Sequence, residues 1–303
     1  MSDLVLEQVS RWYGNVVAVN DVSMQIRPGI TGLLGPNGAG KSTLLSMMAG
    51  LLAPSAGSVS LDGRPVRGDV GMYRHIGLVP VQESLYDFLT GEQFVRLNAD
   101  LHKRPQAKAA TAHAIGLVDL ADAASRKIST YSKGMRQRIK VAAALVHDPA
   151  VLLLDEPFNG MDPIQRRSMM GLLNSYAAQG RTIVFSSHIL EEVEQLARQV
   201  EVVVSGRHAA SGDFAAIRRL MTDRPNQYRI RSSDNRALAT LLLREPTVRG
   251  VRINDKFLEV EADDFGAFAN VVARAARSAN IRILELIPTD ESLESVFSYL
   301  VGR

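Results

Sequence analysis

The 303-residue sequence predicts an α/β fold in two parts, a parallel-sheet core followed by a small α+β domain. Three observations predict it. Val151–Leu154 and Thr182–Phe185 are fully apolar runs, the composition of strands buried on both faces of a parallel sheet. Gly35-Pro36-Asn37-Gly38-Ala39-Gly40-Lys41-Ser42-Thr43 fits the pattern G-x-x-x-x-G-K-[ST] at every required position. Beyond a polar stretch at Thr222-Asp223-Arg224-Pro225-Asn226, the expected elements run βαββαβ, a ferredoxin-like order.

The elements follow in chain order. Leu4–Val9 alternates and reads as an opening strand, with Val16–Val19 and Val22–Ile26 as antiparallel neighbours. Ile30–Leu34 is a short apolar strand that feeds the glycine-rich loop, and Ser42 to Leu51 makes the helix after it. From Ser84 to about His147 the chain reads as mostly helical. Glu92–Leu97 places apolar side chains at helical spacing, and Lys108–Val118 is rich in alanine. Ile164–Gln179 is the crossover helix between the two buried strands, stopped by Gly180. In the second part, Tyr228–Arg231 reads as a strand and Asn235–Leu243 as a helix. Val248–Ile253 and Phe257–Glu261 form a hairpin turning at Asn254-Asp255. Phe265–Ala279 is a helix, Ile281–Ile287 a strand and Glu291–Leu300 a closing helix.

Composition narrows the function classes. The chain is 46% hydrophobic and 22% charged, ordinary for a globular protein, and its length suits two domains. It has no cysteine, which excludes disulfides and thiolate metal sites. Met1-Ser2-Asp3-Leu4 opens without a basic leader and a long apolar stretch, so no secretory signal is expected. Apolar runs such as Val141–Val146 are far shorter than the ~20 residues a membrane-crossing helix needs. Any role at a membrane must then come through a partner. The pI is about 9.2 on a formal charge of +3. The arginines Arg218, Arg219, Arg224, Arg229, Arg231, Arg236, Arg244, Arg249 and Arg252 are dispersed with few aromatics, as on solvated faces, and no nucleic-acid partner is expected.

The glycine-rich loop has a chemical reason for each residue. Small residues let successive backbone N–H groups curl round a polyphosphate, and Lys41 adds a point charge. Ser42 offers a hydroxyl to Mg²⁺ at the start of a helix whose dipole favours anions. Asp155 ends a buried strand, where a carboxylate is held rigidly enough to bind Mg²⁺ directly or through water. Glu156, one residue on, is placed to orient and deprotonate an attacking water. His188, after the next strand in Ser186-Ser187-His188, is placed to reach a γ-phosphate from the side. A few such groups suffice, because in-line phosphoryl transfer depends mainly on positioning and charge neutralisation.

Together with Tyr131-Ser132-Lys133-Gly134-Met135-Arg136-Gln137, Asp155-Glu156-Pro157 and Gly160-Met161-Asp162-Pro163, the loop and His188 resemble, in order and spacing, the nucleotide-binding subunits of ABC transporters. The similarity spans roughly Leu4 to Phe214. It implies a P-loop NTPase fold: a RecA-like core, an antiparallel β subdomain and a helical signature subdomain at about 84–148, all within residues 1–221. Residues 222–303 would then be an accessory or regulatory domain. The resemblance further implies ATP and Mg²⁺ as ligands, with hydrolysis to ADP and phosphate. Tyr13 is similar to the aromatic that stacks on adenine, although Trp12 stands beside it. Ser132, Lys133, Gly134 and Met135 resemble the signature that contacts the γ-phosphate held by an opposing subunit. Asp162 resembles the residue linking the two sites of a head-to-tail dimer.

The sequence departs from the family pattern twice. Val81 stands where the family carries glutamine, so either Gln82 takes over the contact to magnesium and the attacking water through a local shift, which is the expectation, or that link is weakened. The signature reads Tyr-Ser-Lys-Gly-Met where Leu-Ser-Gly-Gly-Gln is commonest, but Ser132 and Gly134 survive. Leu85-Tyr86-Asp87-Phe88-Leu89-Thr90 and Pro288–Phe297 resemble the ABC-2 branch, which includes daunorubicin-resistance-type drug exporters, sodium extruders and polysaccharide or lipid exporters. The resemblance implies a separate membrane permease docking near Gln82–Thr90, and a place on the cytoplasmic side of the cell membrane. The alternative, a soluble ATPase acting on ribosomes or nucleic acid, is disfavoured by the single phosphate loop and the lack of cysteine or heptads. Asp264-Phe265-Gly266 mimics a kinase triplet without the loop that would accompany it, so it reads as a helix start. The other histidines show no metal-ligand spacing, and Met47-Met48 and Met169-Met170 read as packing.

Overall fold

The computed structural model describes residues 3–82, 85–214, 216–217, 226–254, 256–263 and 265–288. The chain divides into two compact units, Met1–Phe214 and Ala215–Arg303.

In the first unit, β1 (Leu4–Tyr13) and β2 (Val16–Ile26) form a long antiparallel pair, joined by β4 (Ala56–Leu61) and β5 (Arg64–Pro65) in the order β2-β1-β4-β5. Val16–Ile26 is therefore one strand where the sequence suggested two. Asn20 and Asp21 do not break it. Asp21 takes a φ of 51° and donates its backbone N–H to Ser10 Oγ at 2.9 Å, a bulge in register with Ser10.

The central sheet holds β3 (Gly29–Leu34), β6 (Ile76–Val79), β7 (Val151–Asp155), β8 (Thr182–Ser187), β9 (Gln199–Val204) and β10 (Arg207–Gly212). Its order is β10-β9-β3-β8-β7-β6, parallel except for β10, which runs antiparallel to β9. β7 and β8 are buried at every position, the apolar Val151–Leu154 and Ile183–Phe185 as expected and the polar Thr182, Asp155, Ser186 and Ser187 with them. α1 (Lys41–Met48) ends earlier than its apolar pattern suggests, because Gly50 adopts a φ of 71° and turns the chain away. Its Leu44, Leu45, Met47 and Met48 are at most 1% exposed between the two sheets. Each such side chain stabilises the fold by about 1.5–3 kcal/mol.

Three helices make the lobe between β6 and β7: α2 (Gly91–Leu101), α3 (Ala107–Leu117) and α4 (Lys133–Leu145). Thr90 and Gln93 form a reciprocal capping box at the start of α2. α5 (Pro163–Ala177) follows β7 with Asp162 as N-cap and proline in its first turn, and α6 (Leu190–Leu196) follows β8.

The second unit contains β11 (Asn226–Ser232), α7 (Asn235–Leu242), β12 (Val248–Ile253), β13 (Leu258–Ala262), α8 (Phe265–Ser278) and β14 (Ile283–Pro288). The sheet order β12-β13-β11-β14, antiparallel throughout, is the ferredoxin-like arrangement. Tyr228, Ile230, Leu258, Val260, Leu238 and Phe268 fill its core. Of the dispersed arginines, Arg231, Arg249 and Arg252 pair with Glu285, Asp263 and Glu259, which suits a solvated face. Arg218, Arg219 and Arg224, the expected linker at 222–226 apart from Asn226, which opens β11, and the expected closing helix at Glu291–Leu300 lie outside the described residues.

Candidate functional site: a phosphate loop faced by two acids and a histidine

The site forms where strands of the central sheet end. β3 runs into the loop from Gly35 to Gly40, where Gly38 and Gly40 hold φ values of 80° and 99° that side-chain-bearing residues rarely adopt. A Cβ on Gly40 would lie 2.5 Å from the carbonyl oxygen of Ala18, so β2 passes directly against the loop. β2 also pairs Val16 with Tyr13. Tyr13 is about half exposed, with the Arg11 guanidinium 4.8 Å from its ring centre, and Trp12 is equally exposed. The structure therefore offers both rings to solvent and does not separate them. Asn37 and Ser42 are exposed, Pro36 and Thr43 half-buried, and Ala39 buried.

Lys41, the first residue of α1, is buried with its ammonium turned into the loop. Nζ donates to the carbonyls of Gly35 at 2.6 Å and Pro36 at 3.0 Å and stands 3.9 Å from Glu156 Oε1. Burial pulls the Lys41 pKa below its usual range, while Glu156 and then Asp155 act against that.

β7 and β8 lie side by side and bring the acids together. Asp155 pairs with Ser186 in register, and the fully buried Ser186 hydroxyl donates to Asp155 Oδ1 at 2.6 Å. The same Ser186 Oγ accepts the backbone N–H of Glu156 at 2.9 Å. Glu156 takes a left-handed φ of 50°, a conformation costing about 1–3 kcal/mol in a non-glycine residue. Both its carboxylate oxygens lie 3.0 Å from His188 Nδ1. Gln137, on α4, donates from Nε2 to the Glu156 carbonyl at 3.5 Å. Local sequence marks neither Ser186 as the clamp on both acids nor Gln137 as a contact to Glu156. Only the motif Ser186-Ser187-His188 hinted at the first.

The signature residues gather elsewhere on the same unit. Ser132 caps α4 by accepting the Met135 backbone N–H at 3.3 Å, and Asp162 caps α5 by accepting that of Gln165 at 2.8 Å. The two helix starts press together. A Cβ on Gly134 would meet Gln165 Oε1 at 2.2 Å, and one on Gly160 would meet Lys133 Cβ at 2.8 Å. Ser132, Lys133 and Asp162 are exposed beside this contact. Gln82 lies just past β6, which pairs in parallel with β7. Its side chain is exposed, and its carbonyl accepts from Lys140 Nζ at 3.5 Å.

A glycine loop with an inward lysine, set against a rigid aspartate and a histidine-paired glutamate, defines a nucleoside-triphosphate hydrolase of the phosphate-loop class. Comparison with known proteins gives the family. The profile described as ABC transporter matches residues 19–159. The chain is 31% identical over 309 residues to the linearmycin resistance ATP-binding protein of Bacillus subtilis, covering 99% of this chain and 98% of that one. It is 34% identical to the Nod factor export ATP-binding protein I of Rhizobium leguminosarum bv. viciae, covering 98% and 94%. A Nostoc ABC transporter ATP-binding protein is 40% identical over 204 residues, a match spanning 66% of this chain and 61% of that relative. A solved ATP-binding subunit of an ABC transporter, 29% identical, superposes with a TM-score of 0.66 over 72% of this chain and 92% of its own. The chain belongs to the ATP-binding subunits of ABC transporters, a family of ATP-hydrolysing enzymes.

Proposed function

We propose that this chain is the ATPase of an exporter that moves an amphiphilic compound, such as a drug or lipid, through a separate permease of ABC-2 type. The observation that carries the catalytic part is the Glu156–His188 contact beside Lys41 and Asp155. ATP binds with its phosphates on the Gly35–Thr43 backbone and Lys41, whose present carbonyl partners give way to phosphate oxygens. Tyr13 stacks on adenine. Ser42, Asp155 and Gln82 offer an all-oxygen donor set that suits Mg²⁺, which when bound would neutralise charge on the phosphates. Glu156 takes the proton of the attacking water while His188, held at Nδ1, faces the γ-phosphate. The new P–O bond forms as the bond to the β-phosphate oxygen breaks, releasing ADP and phosphate.

Ser132, Lys133, Gly134, Met135 and Asp162 act in trans, against the nucleotide of a second such subunit in a head-to-tail dimer. Their placement on two tightly packed helix starts, apart from the hydrogen bonds of the phosphate loop, supports that reading. No described helix is long and apolar enough to cross a membrane. In this reading the permease supplies the pore and this subunit sits peripherally on its cytoplasmic side. Export is supported by full-length relatives named for linearmycin resistance and Nod factor export. The test is a host carrying the chain together with a candidate permease of about six apolar spans. Loss of the chain should raise cellular retention of amphiphilic compounds, and Glu156→Gln should not restore efflux. Recovery of the chain with ribosomes or nucleic acid, and with no membrane protein, would overturn the reading.

A further inference from the structure

Beneath the Glu156–His188 pair lies a buried carboxylate that the reaction itself does not use. Glu192, on α6, is 4% exposed. Its Oε2 accepts the Ser187 hydroxyl at 2.6 Å, and its Oε1 lies 3.5 Å from Arg166 NH1. Ser187, itself fully buried, also accepts the backbone N–H of Ile189 at 2.9 Å through the same Oγ. That hydroxyl thus closes a turn around His188 and is locked in turn by Glu192. Arg166 belongs to α5, where its backbone N–H bonds the Asp162 carbonyl at 2.9 Å. A continuous polar path therefore runs from the α5 N-cap through Arg166, Glu192 and Ser187 to the turn presenting His188. Buried polar groups are costly when unpaired, and a paired chain of this kind rigidifies what it holds; Arg166 meets Glu192 through NH1 while its Nε has no partner.

We infer that Glu192 is a positioning residue for ATP hydrolysis: its carboxylate fixes the Ser187–Ile189 turn that aims His188 at Glu156, and Arg166 ties it to the helix capped by Asp162. The inference rests on the catalytic reading of Glu156 and His188 above. Burial pushes the Glu192 carboxyl up, the Ser187 hydroxyl and then Arg166 pull it down, and among the further charges Glu156 raises it and His188 lowers it. The charge balance around the turn is thus set by groups from three elements.

The test measures turnover and ATP binding in the full chain. Glu192→Ala and Ser187→Ala should each lower kcat about tenfold or more, because small displacements of catalytic groups are costly, with ATP affinity held within about twofold. The double variant should lose no more than either single, since both cut one path. Glu192→Gln, whose amide oxygen still accepts the Ser187 hydroxyl, should recover most of the kcat lost in Glu192→Ala. Normal kcat in the Ser187 and Glu192 variants, losses that multiply in the double, or a glutamine variant no better than alanine would each overturn the inference. His188→Ala serves as reference: if it turns over normally, the catalytic reading itself fails, whereas its loss beside intact Glu192 and Ser187 variants sinks only the positioning role. Should Glu192→Ala not fold, Ser187→Ala and Glu192→Gln carry the same test.

Discussion

Glu156 is held by three different groups, and each constrains a different part of it. Ser186 takes its N–H, Gln137 reaches its carbonyl, and His188 meets its carboxylate. A residue fixed this way can act as a base with little reorganisation. Glu156→Gln is expected to keep ATP binding and lower kcat by about 10²-fold or more, checked by turnover against equilibrium nucleotide binding. Lys41→Ala should instead lose nucleotide, since it removes the charge aimed into the loop. Gly40→Ala attacks the cradle through its backbone. Its φ of 99° and a Cβ 2.5 Å from the Ala18 carbonyl predict a loss of roughly 1–3 kcal/mol or more in chemical denaturation. These residues were legible as local strings. Ser186, Gln137 and Glu192 were not, because their partners lie 31, 19 and 5 positions away and meet only when strands and helices pack.

Two histidines make elements respond to pH in opposite senses. His147, just after α4, bonds the Ile76 carbonyl at 3.2 Å and stacks on His102 at 3.7 Å. Burial first, then the neighbouring His102, lower its pKa from 6.5 to about 4. As pH falls below 6.5 the unfolded chain binds the proton first, so stability declines until about pH 4, by up to roughly 3 kcal/mol. A non-titrating His147→Asn chain should show a flatter profile in denaturation between those values. His208 pairs with the buried Glu201 at 2.6 Å and ties β10 to β9. The Glu201 hydrogen bond, against the opposing effect of burial, raises its pKa above 6.5. Its contribution is complete below that value and is lost as pH rises through the higher folded one. The Tm difference between wild type and His208→Gln should therefore narrow as the medium turns alkaline. Neither pair is visible from local pattern, since a lone histidine in sequence carries no sign of what faces it.

At the scale of the whole molecule, the two units have separate cores, the first built on α1 between two sheets and the second on β11, β13, α7 and α8. We propose that the second unit is regulatory or stabilises the dimer. Glu156→Gln is expected to trap an ATP-bound dimer, and a chain ended at residue 221 is expected to keep ATP binding while changing the lifetime of that dimer, measured by size-exclusion chromatography. Unchanged dimer lifetime, ATPase rate and transport would remove the regulatory role.

By itself the sequence carried the two-part α/β architecture and the local strings of the phosphate loop, the paired acids and Ser186-Ser187-His188, because each is written in residues adjacent in the chain. The strands Ala56–Leu61 and Arg207–Gly212 carry no clear local pattern, whereas Gln199–Val204 is marked by the apolar residues of Val200–Val204. Tertiary structure decided that β3 lies between β8 and β9, that Ser186 clamps two carboxylates, and that helix starts at Ser132 and Asp162 share one surface. Periodicity reports whether a face is buried. It does not say which distant segment buries it, because strand order and side-chain partners are set by contacts among residues far apart in the chain.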